Sequence, residues 1–175
     1  MVHLPCGRPP PGQGLSDCRV LEFGAGQSTL WWAARAREVI ALEDDPTWCA
    51  ELAPLLPANV RLRQVAPSHT AMARALSNEA RFDIAVVDGL DRFQAARLAV
   101  ELVADEGAIL CDNSDGHWGP PPSYPIIDFF RDAGFLRIDF YGYAPGVVVP
   151  HCTSLFFRGS CHLLRGDENP VRYKQ

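Results

Sequence analysis

Long apolar runs are missing from this chain: no stretch reaches the roughly 18 residues that a membrane helix needs. Runs of lysine and arginine are missing too. The formal net charge of -5 at pH 7 removes the usual electrostatic driver for nucleic-acid binding. Neither a membrane nor a nucleic acid is therefore an expected partner. Met1 to Leu15 is rich in proline and glycine and lacks the apolar core of a signal peptide, so the cytoplasm is the expected compartment. The six cysteines (Cys6, Cys18, Cys49, Cys111, Cys152 and Cys161) have no framework spacing, which favours reduced thiols. A zinc site from His151, Cys152, Cys161 and His162 would lack the paired C-x-x-C such sites use. No internal repeat is visible.

What is present fits one domain: 175 residues, 47% hydrophobic and 21% charged. Residues 1–17 read as an irregular Pro/Gly-rich lead, 18–159 as the ordered domain and 160–175 as a polar tail. Within the domain, strand-like and helix-like runs alternate. Strands are expected at Cys18 to Phe23, Val39 to Glu43, Val60 to Val65, Phe82 to Asp88, Ala108 to Cys111, Phe135 to Tyr141 and Cys152 to Arg158. Helices are expected at Ser28 to Arg37, after the Asp45-Pro46 cap, at Ser68 to Leu76, Asp91 to Val103 and Pro125 to Ala133. The fourth strand is apolar on both faces, as in a parallel strand covered by helices on each side. The last two strands have no helix between them and should pair antiparallel. The expected fold is α/β: a Rossmann-like, doubly wound, mostly parallel seven-stranded sheet with an antiparallel strand near the C-terminus.

In such sheets ligands lie beyond the carboxyl ends of the strands. Glu22 to Ser28, Glu43, Asp88 and Asp112 all fall at strand C-termini. Gly24 and Gly26 follow the first strand directly and allow tight turning beside a ligand. A dinucleotide fingerprint wants a third glycine where Thr29 stands, which disfavours a nicotinamide oxidoreductase. Glu22 inside the turn suits a cationic, phosphate-free ligand better than a pyrophosphate. Glu43, at the end of the second strand, is placed to accept ribose hydroxyls.

Val20 to Ala33 (VLEFGAGQSTLWWA), taken with Val39 to Pro46 (VIALEDDP), resembles the first two motifs of class I S-adenosylmethionine-dependent methyltransferases. Ser28 replaces that family's third glycine. The resemblance implies that Glu22, Gly24, Gly26 and Ser28 cradle the methionine part of S-adenosylmethionine. It implies that Glu43 holds the ribose, that Asp44 lies near the adenine, and that Asp88 belongs to the cofactor site.

Asp88 ends the fourth strand, and Asp112 and Asn113 end the fifth. Two carboxylates and an amide oxygen make a hard oxygen site suited to Mg²⁺ or Ca²⁺. The trio, and the string Asp112 to Gly119, resemble the catechol-type and caffeoyl-type O-methyltransferases. Asp88 and His117 are the expected catalytic groups, with His151 and His69 as further candidate bases. Trp118, Tyr124, Tyr141 and Tyr143 flank the proposed mouth. Trp31 and Trp32 read as helix-packing residues.

The leading expectation is methyl transfer to a small hydroxylated acceptor, with metal assistance as an option and a homodimer as a candidate assembly. The competing expectation is a catalytically inactive cofactor-binding module or partner subunit. Fold alone does not choose between them.

Overall fold

The computed structural model describes residues 15–89, 91–116, 125–143, 148–159, 161 and 163. A single 3-10 turn, Leu15–Asp17, leads into β1 (Arg19–Phe23). The chain then runs α1 (Gln27–Ala33), β2 (Glu38–Glu43), α2 (Pro46–Leu52), β3 (Val60–Gln64), α3 (His69–Leu76), β4 (Phe82–Val87), α4 (Arg92–Leu102), β5 (Val103–Cys111), α5 (Ile126–Asp132), β6 (Leu136–Gly142) and β7 (His151–Phe157). The seven strands form one sheet in the order β3-β2-β1-β4-β5-β7-β6. The first five are parallel, and β7 lies antiparallel to both β5 and β6. The expected architecture is thus the one found.

Period-2 alternation decides what each face of the sheet receives. Leu21 and Phe23 of β1 join Ile40, Leu42, Ala85, Val87 and Phe156 on one face, beneath α3, α4 and α5. Val20 joins Val39, Ile84, Val86, Leu110 and Leu155 on the other face with Trp32 of α1. Trp31 meets Trp32 edge-on at 4.8 Å between centroids, in the packing role expected of the pair.

Three of the helices, α2, α3 and α4, start at side-chain caps. Asp45 accepts from the backbone N–H groups of Thr47 and Trp48, Ser68 from Ala71, and Asp91 from Gln94. Two expected boundaries move by more than one residue. α1 stops at Ala33 rather than Arg37, because the Arg37 N–H turns to the Cys18 carbonyl and starts β2. Val103 opens β5 rather than closing α4, so β5 begins five residues before the expected Ala108 and pairs with Phe82. The buried residues of α4 are Ala95, Ala96, Leu98 and Ala99, and the three alanines let the helix lie close to the sheet.

Cys18, Cys49, Cys111, Cys152 and Cys161 are free thiols. No helix among the described residues is long and apolar enough to cross a membrane.

Candidate functional site

Strand register builds the site before any side chain does. Phe23 lies opposite Leu42 on β2 and Val87 on β4, and Val87 lies opposite Cys111 on β5. The next residue of each strand is therefore Gly24, Glu43, Asp88 and Asp112, four positions along one edge. Backbone bonds carry that alignment past the last regular pairs. Gly24 N–H donates to Leu42 (2.9 Å), Asp88 N–H to Phe23 (3.1 Å) and Asp112 N–H to Val87 (3.0 Å).

At this edge the chain leaves β1 through Gly24, at φ +95°, a value that L side chains rarely adopt. A Cβ on Gly24 would meet the Gly89 and Asp88 backbone at 2.8–2.9 Å. A Cβ on Gly26 would meet nothing within 4 Å. The two glycines thus serve different ends: the first lets two loops touch, and the second keeps the outer side of the turn clear.

The carboxylates organise this turn from beneath. Glu22 shares β1's second face and is fully buried under α1. It accepts hydroxyl bonds from Ser28 and Thr29, both 2.5 Å. Thr29 in turn accepts from the Gly26 N–H at 2.9 Å, which links Glu22 to the turn through one hydroxyl. Burial pushes the Glu22 carboxyl up to about 7, against the pull of the two hydroxyls. Glu43 accepts from Ala25 N–H with one oxygen and from Asp44 and Asp45 N–H with the other, at 2.9–3.0 Å. It locks the loops after β1 and β2 together. Asp44 is exposed beside it.

Trp48, on the first turns of α2, donates its indole N–H to the Ala25 carbonyl at 2.7 Å. Neither Trp48 nor Thr29 was expected at the turn. Trp48 reads in sequence as one more apolar position of α2, and Thr29 reads only as an absent glycine.

The second group of residues lies at the ends of β4 and β5. Asp88 and Asp112 come together as expected, and Asn113 bends the chain at φ 51°, a left-handed value that Asn tolerates. Burial is the main cause that raises the Asp88 pKa, and the neighbouring Asp112 adds to it. Asp112 accepts from the Thr153 hydroxyl at 2.6 Å.

The expectation of a divalent ion held by Asp88, Asp112 and Asn113 gains no support from the structure. Arg92, the first residue of α4, donates to Asp88 at 3.3 Å and to the Asn113 side-chain oxygen at 3.2 Å. Its guanidinium stands between the oxygens that an ion would need, and like charge repels an incoming Mg²⁺ or Ca²⁺. The donor set does not fit the ion. Among the described residues no group of three or more His, Cys, Asp or Glu is placed to hold a metal. The sequence signal for Arg92 was its i,i+4 spacing from Asp88.

Of the candidate bases, His117 lies outside the described residues, as do Trp118, Tyr124 and His162. His151 stands at the start of β7, where its Nδ1 receives the Asn113 side-chain N–H at 3.0 Å. With Nδ1 engaged by that contact, Nε2 is the ring nitrogen left to face other partners. His69 lies 4.0 Å from Glu101, in the last turn of α4, whereas Arg92 opens that helix. Nine residues of helix, about 14 Å, separate the two ends. Tyr141 and Tyr143 are exposed where β6 ends. A cavity of about 390 Å³ lies towards the opposite edge of the sheet, lined by Ile127, Asp128, Arg131, Phe135, Arg137 and Phe156, and takes no part in the site.

Strand order, a left-handed glycine after β1 and an acid closing β2 occur together here. The fold is that of class I methyltransferases. No protein-family model and no curated protein matches the chain. Solved structures do. Precorrin-6y C5,15-methyltransferase from Geobacter metallireducens is 14% identical, with TM-score 0.62 over 82% of each chain. A 1,6-didemethyltoxoflavin-N1-methyltransferase from Burkholderia thailandensis, solved with S-adenosylhomocysteine, is 20% identical, with TM-score 0.59 over 82% of this chain and 72% of that one. An rRNA methylase from Streptococcus thermophilus is 13% identical, with TM-score 0.60 over 83% and 90%. At these identities the likeness carries the fold alone.

Proposed function

We propose that this chain is an S-adenosylmethionine-dependent methyltransferase acting on the oxygen of a small hydroxylated acceptor. The observation that carries the reading is the turn after β1. It has a clear outer side at Gly26, and Glu22 and Glu43 stand directly behind it. A ligand bearing an ammonium and a sulfonium but no phosphate finds compensating negative charge there. Ser28 and Gly26 face the methionine part, Glu43 accepts from a ribose hydroxyl with the lone pair its three backbone partners leave, and Asp44 lies by the adenine. Trp48 covers the same turn.

Bound there, the cofactor supplies an electrophilic methyl group. The chain's own residues position and deprotonate. Asp88 stands one strand from Gly24, and burial beside Asp112 lifts its pKa towards the range useful for a general base. It takes the proton of the attacking hydroxyl. Arg92, held between Asp88 and Asn113, fixes that carboxylate and supplies a cation next to the developing oxyanion. The three methyltransferase-fold structures above carry names that imply different acceptors, so the acceptor class rests on Asp88 and Arg92 and not on likeness.

Titration calorimetry with S-adenosylmethionine and S-adenosylhomocysteine, on the wild type and on Glu43→Ala, tests the cofactor half of this reading. Heat with both ligands and at least a tenfold loss in the variant are expected, since a ribose hydrogen bond to a charged carboxylate is worth about 1.5 kcal/mol or more. No heat with either ligand would overturn it. Transfer of labelled methyl to a panel of phenols and catechols tests the other half. Binding without transfer to any acceptor would favour the cofactor-binding module.

A further inference from the structure

The two edges of the sheet are finished differently. At the β3 edge, Arg61 pairs with Glu38 at 2.5 Å, and Arg63 pairs with Glu79 at 2.5 Å. Arg63 also donates to the Ala75 carbonyl. Fixed charges of this kind guard an edge against another strand. β6 forms the other edge, and every residue from Leu136 to Tyr141 is exposed. Its pairing with β7 is regular from Leu136 to Gly142, with no bulge and no proline to blunt it.

Alternation sorts this strand into two faces. Leu136, Ile138 and Phe140 share one, with 56%, 37% and 44% of their surface exposed. Arg137 and Asp139 share the other, 2.9 Å apart. The order Leu-Arg-Ile-Asp-Phe is self-complementary. Antiparallel pairing of two copies about Ile138 sets Ile138 against the partner's Ile138 and Leu136 against the partner's Phe140. On the opposite face it sets Arg137 against the partner's Asp139, and the reverse, giving two cross-strand ion pairs. Centring on Arg137 or Asp139 instead places like charges face to face. Centring between residues sets apolar side chains against charged ones. One register satisfies both faces.

We propose that β6 is a homodimer interface, pairing antiparallel with β6 of a second copy about a two-fold axis at Ile138. The pairing joins two seven-stranded sheets into one. It satisfies the outward backbone groups of the edge, covers the apolar stripe, and makes the isologous contact that a two-fold requires.

Sedimentation velocity or light scattering of the full chain over a range of concentrations tests this. The wild type is expected to dimerise. Ile138→Arg places two guanidiniums on the axis, and Arg137→Asp sets Asp against Asp. Each is expected to weaken the dimer about tenfold or more. The reciprocal variant Arg137→Asp/Asp139→Arg restores opposite charges and is expected to return towards wild type. Circular dichroism melts confirm that each variant is folded. Should Arg137→Asp fail to fold, Ile138→Arg and the reciprocal variant decide. A wild type that stays monomeric at every concentration overturns the proposal. So does a dimer indifferent to Ile138→Arg, or a reciprocal variant no better than folded Arg137→Asp.

Discussion

Gly24 and Gly89 face each other so closely that a Cβ on either would lie 2.8 Å from the Cα of the other. The loops after β1 and β4 touch backbone to backbone at this point, which draws the Asp88 loop in beside the turn. Gly24→Ala is therefore expected to cost about 3 kcal/mol, from the strain of φ +95° and the overlap together. A bulky residue at Gly24 damages the fold before it meets a ligand. Gly26→Val is the cleaner probe: its side chain enters open space, so melting should change little while S-adenosylhomocysteine binding falls at least tenfold. Thermal melts and calorimetry on both variants check the contrast. A folded Gly26→Val with wild-type affinity would sink the turn assignment.

Glu22 gives a pH signature. Its folded pKa, about 7, lies above the ordinary 4.5. The folded state holds the proton more tightly, so this group's contribution to stability is fully present below about pH 4.5 and is lost as pH rises through about 7. The loss is on the order of 3 kcal/mol. Glu22→Gln cannot ionise and escapes it, so the melting temperature of the variant relative to wild type should rise between about pH 5 and pH 8. A difference independent of pH would contradict the burial argument. A cationic ligand needs the ionised carboxylate, so wild-type affinity for S-adenosylmethionine should rise through the same window with release of a proton.

Arg92 keeps two acidic strand ends compatible. Arg92→Met removes the guanidinium and leaves Asp88 and Asp112 facing each other, at a cost of about 1–3 kcal/mol at neutral pH. Acid should relieve the cost, because Asp88 already has a raised pKa and takes up a proton readily. Denaturant melts of the variant and wild type across that range measure it. Chelator should leave wild-type melting and turnover unchanged, because Arg92 stands where an ion would bind. Loss of turnover in chelator, restored by Mg²⁺, would place the ion beside Asp88 after all.

Glu79 anchors the far edge. It is nearly buried and pairs with Arg19, Arg61 and Arg63 at 2.5–3.2 Å. Those partners hold its pKa below the usual carboxylate value despite burial. A depressed folded pKa means stability present above the unfolded value and lost on acidification. Glu79→Ala should cost about 1–2 kcal/mol, because Arg19, Arg61 and Arg63 each lose a partner while keeping Glu38 or a backbone carbonyl, with cofactor affinity unchanged. Equal melting of variant and wild type at neutral pH would refute this.

Much of the molecule was legible in the chain itself because it follows from local rules. An unbroken apolar run marked β4, of which only Asp83 is not buried, and capping residues such as Asp45, Ser68 and Asp91 marked helix starts to within a residue. Strands ending in Glu22-Phe23-Gly24, Glu43, Asp88 and Asp112 foretold an acidic edge, since a parallel sheet brings its carboxyl ends together.

What only the tertiary structure decided were meetings across sequence distance. Thr153 reaching Asp112, Trp48 reaching the Ala25 carbonyl, and Glu43 tying down Ala25 each join residues on separate elements, for which neither period nor spacing leaves a trace. The reading of Asp88, Asp112 and Asn113 as a metal site gained no support, for a related reason. A list of oxygen donors does not reveal which cation lies among them. Arg92 takes that place because α4 begins with its first turn over the end of β5, a matter of how a helix sits on a sheet rather than of which residues the chain contains.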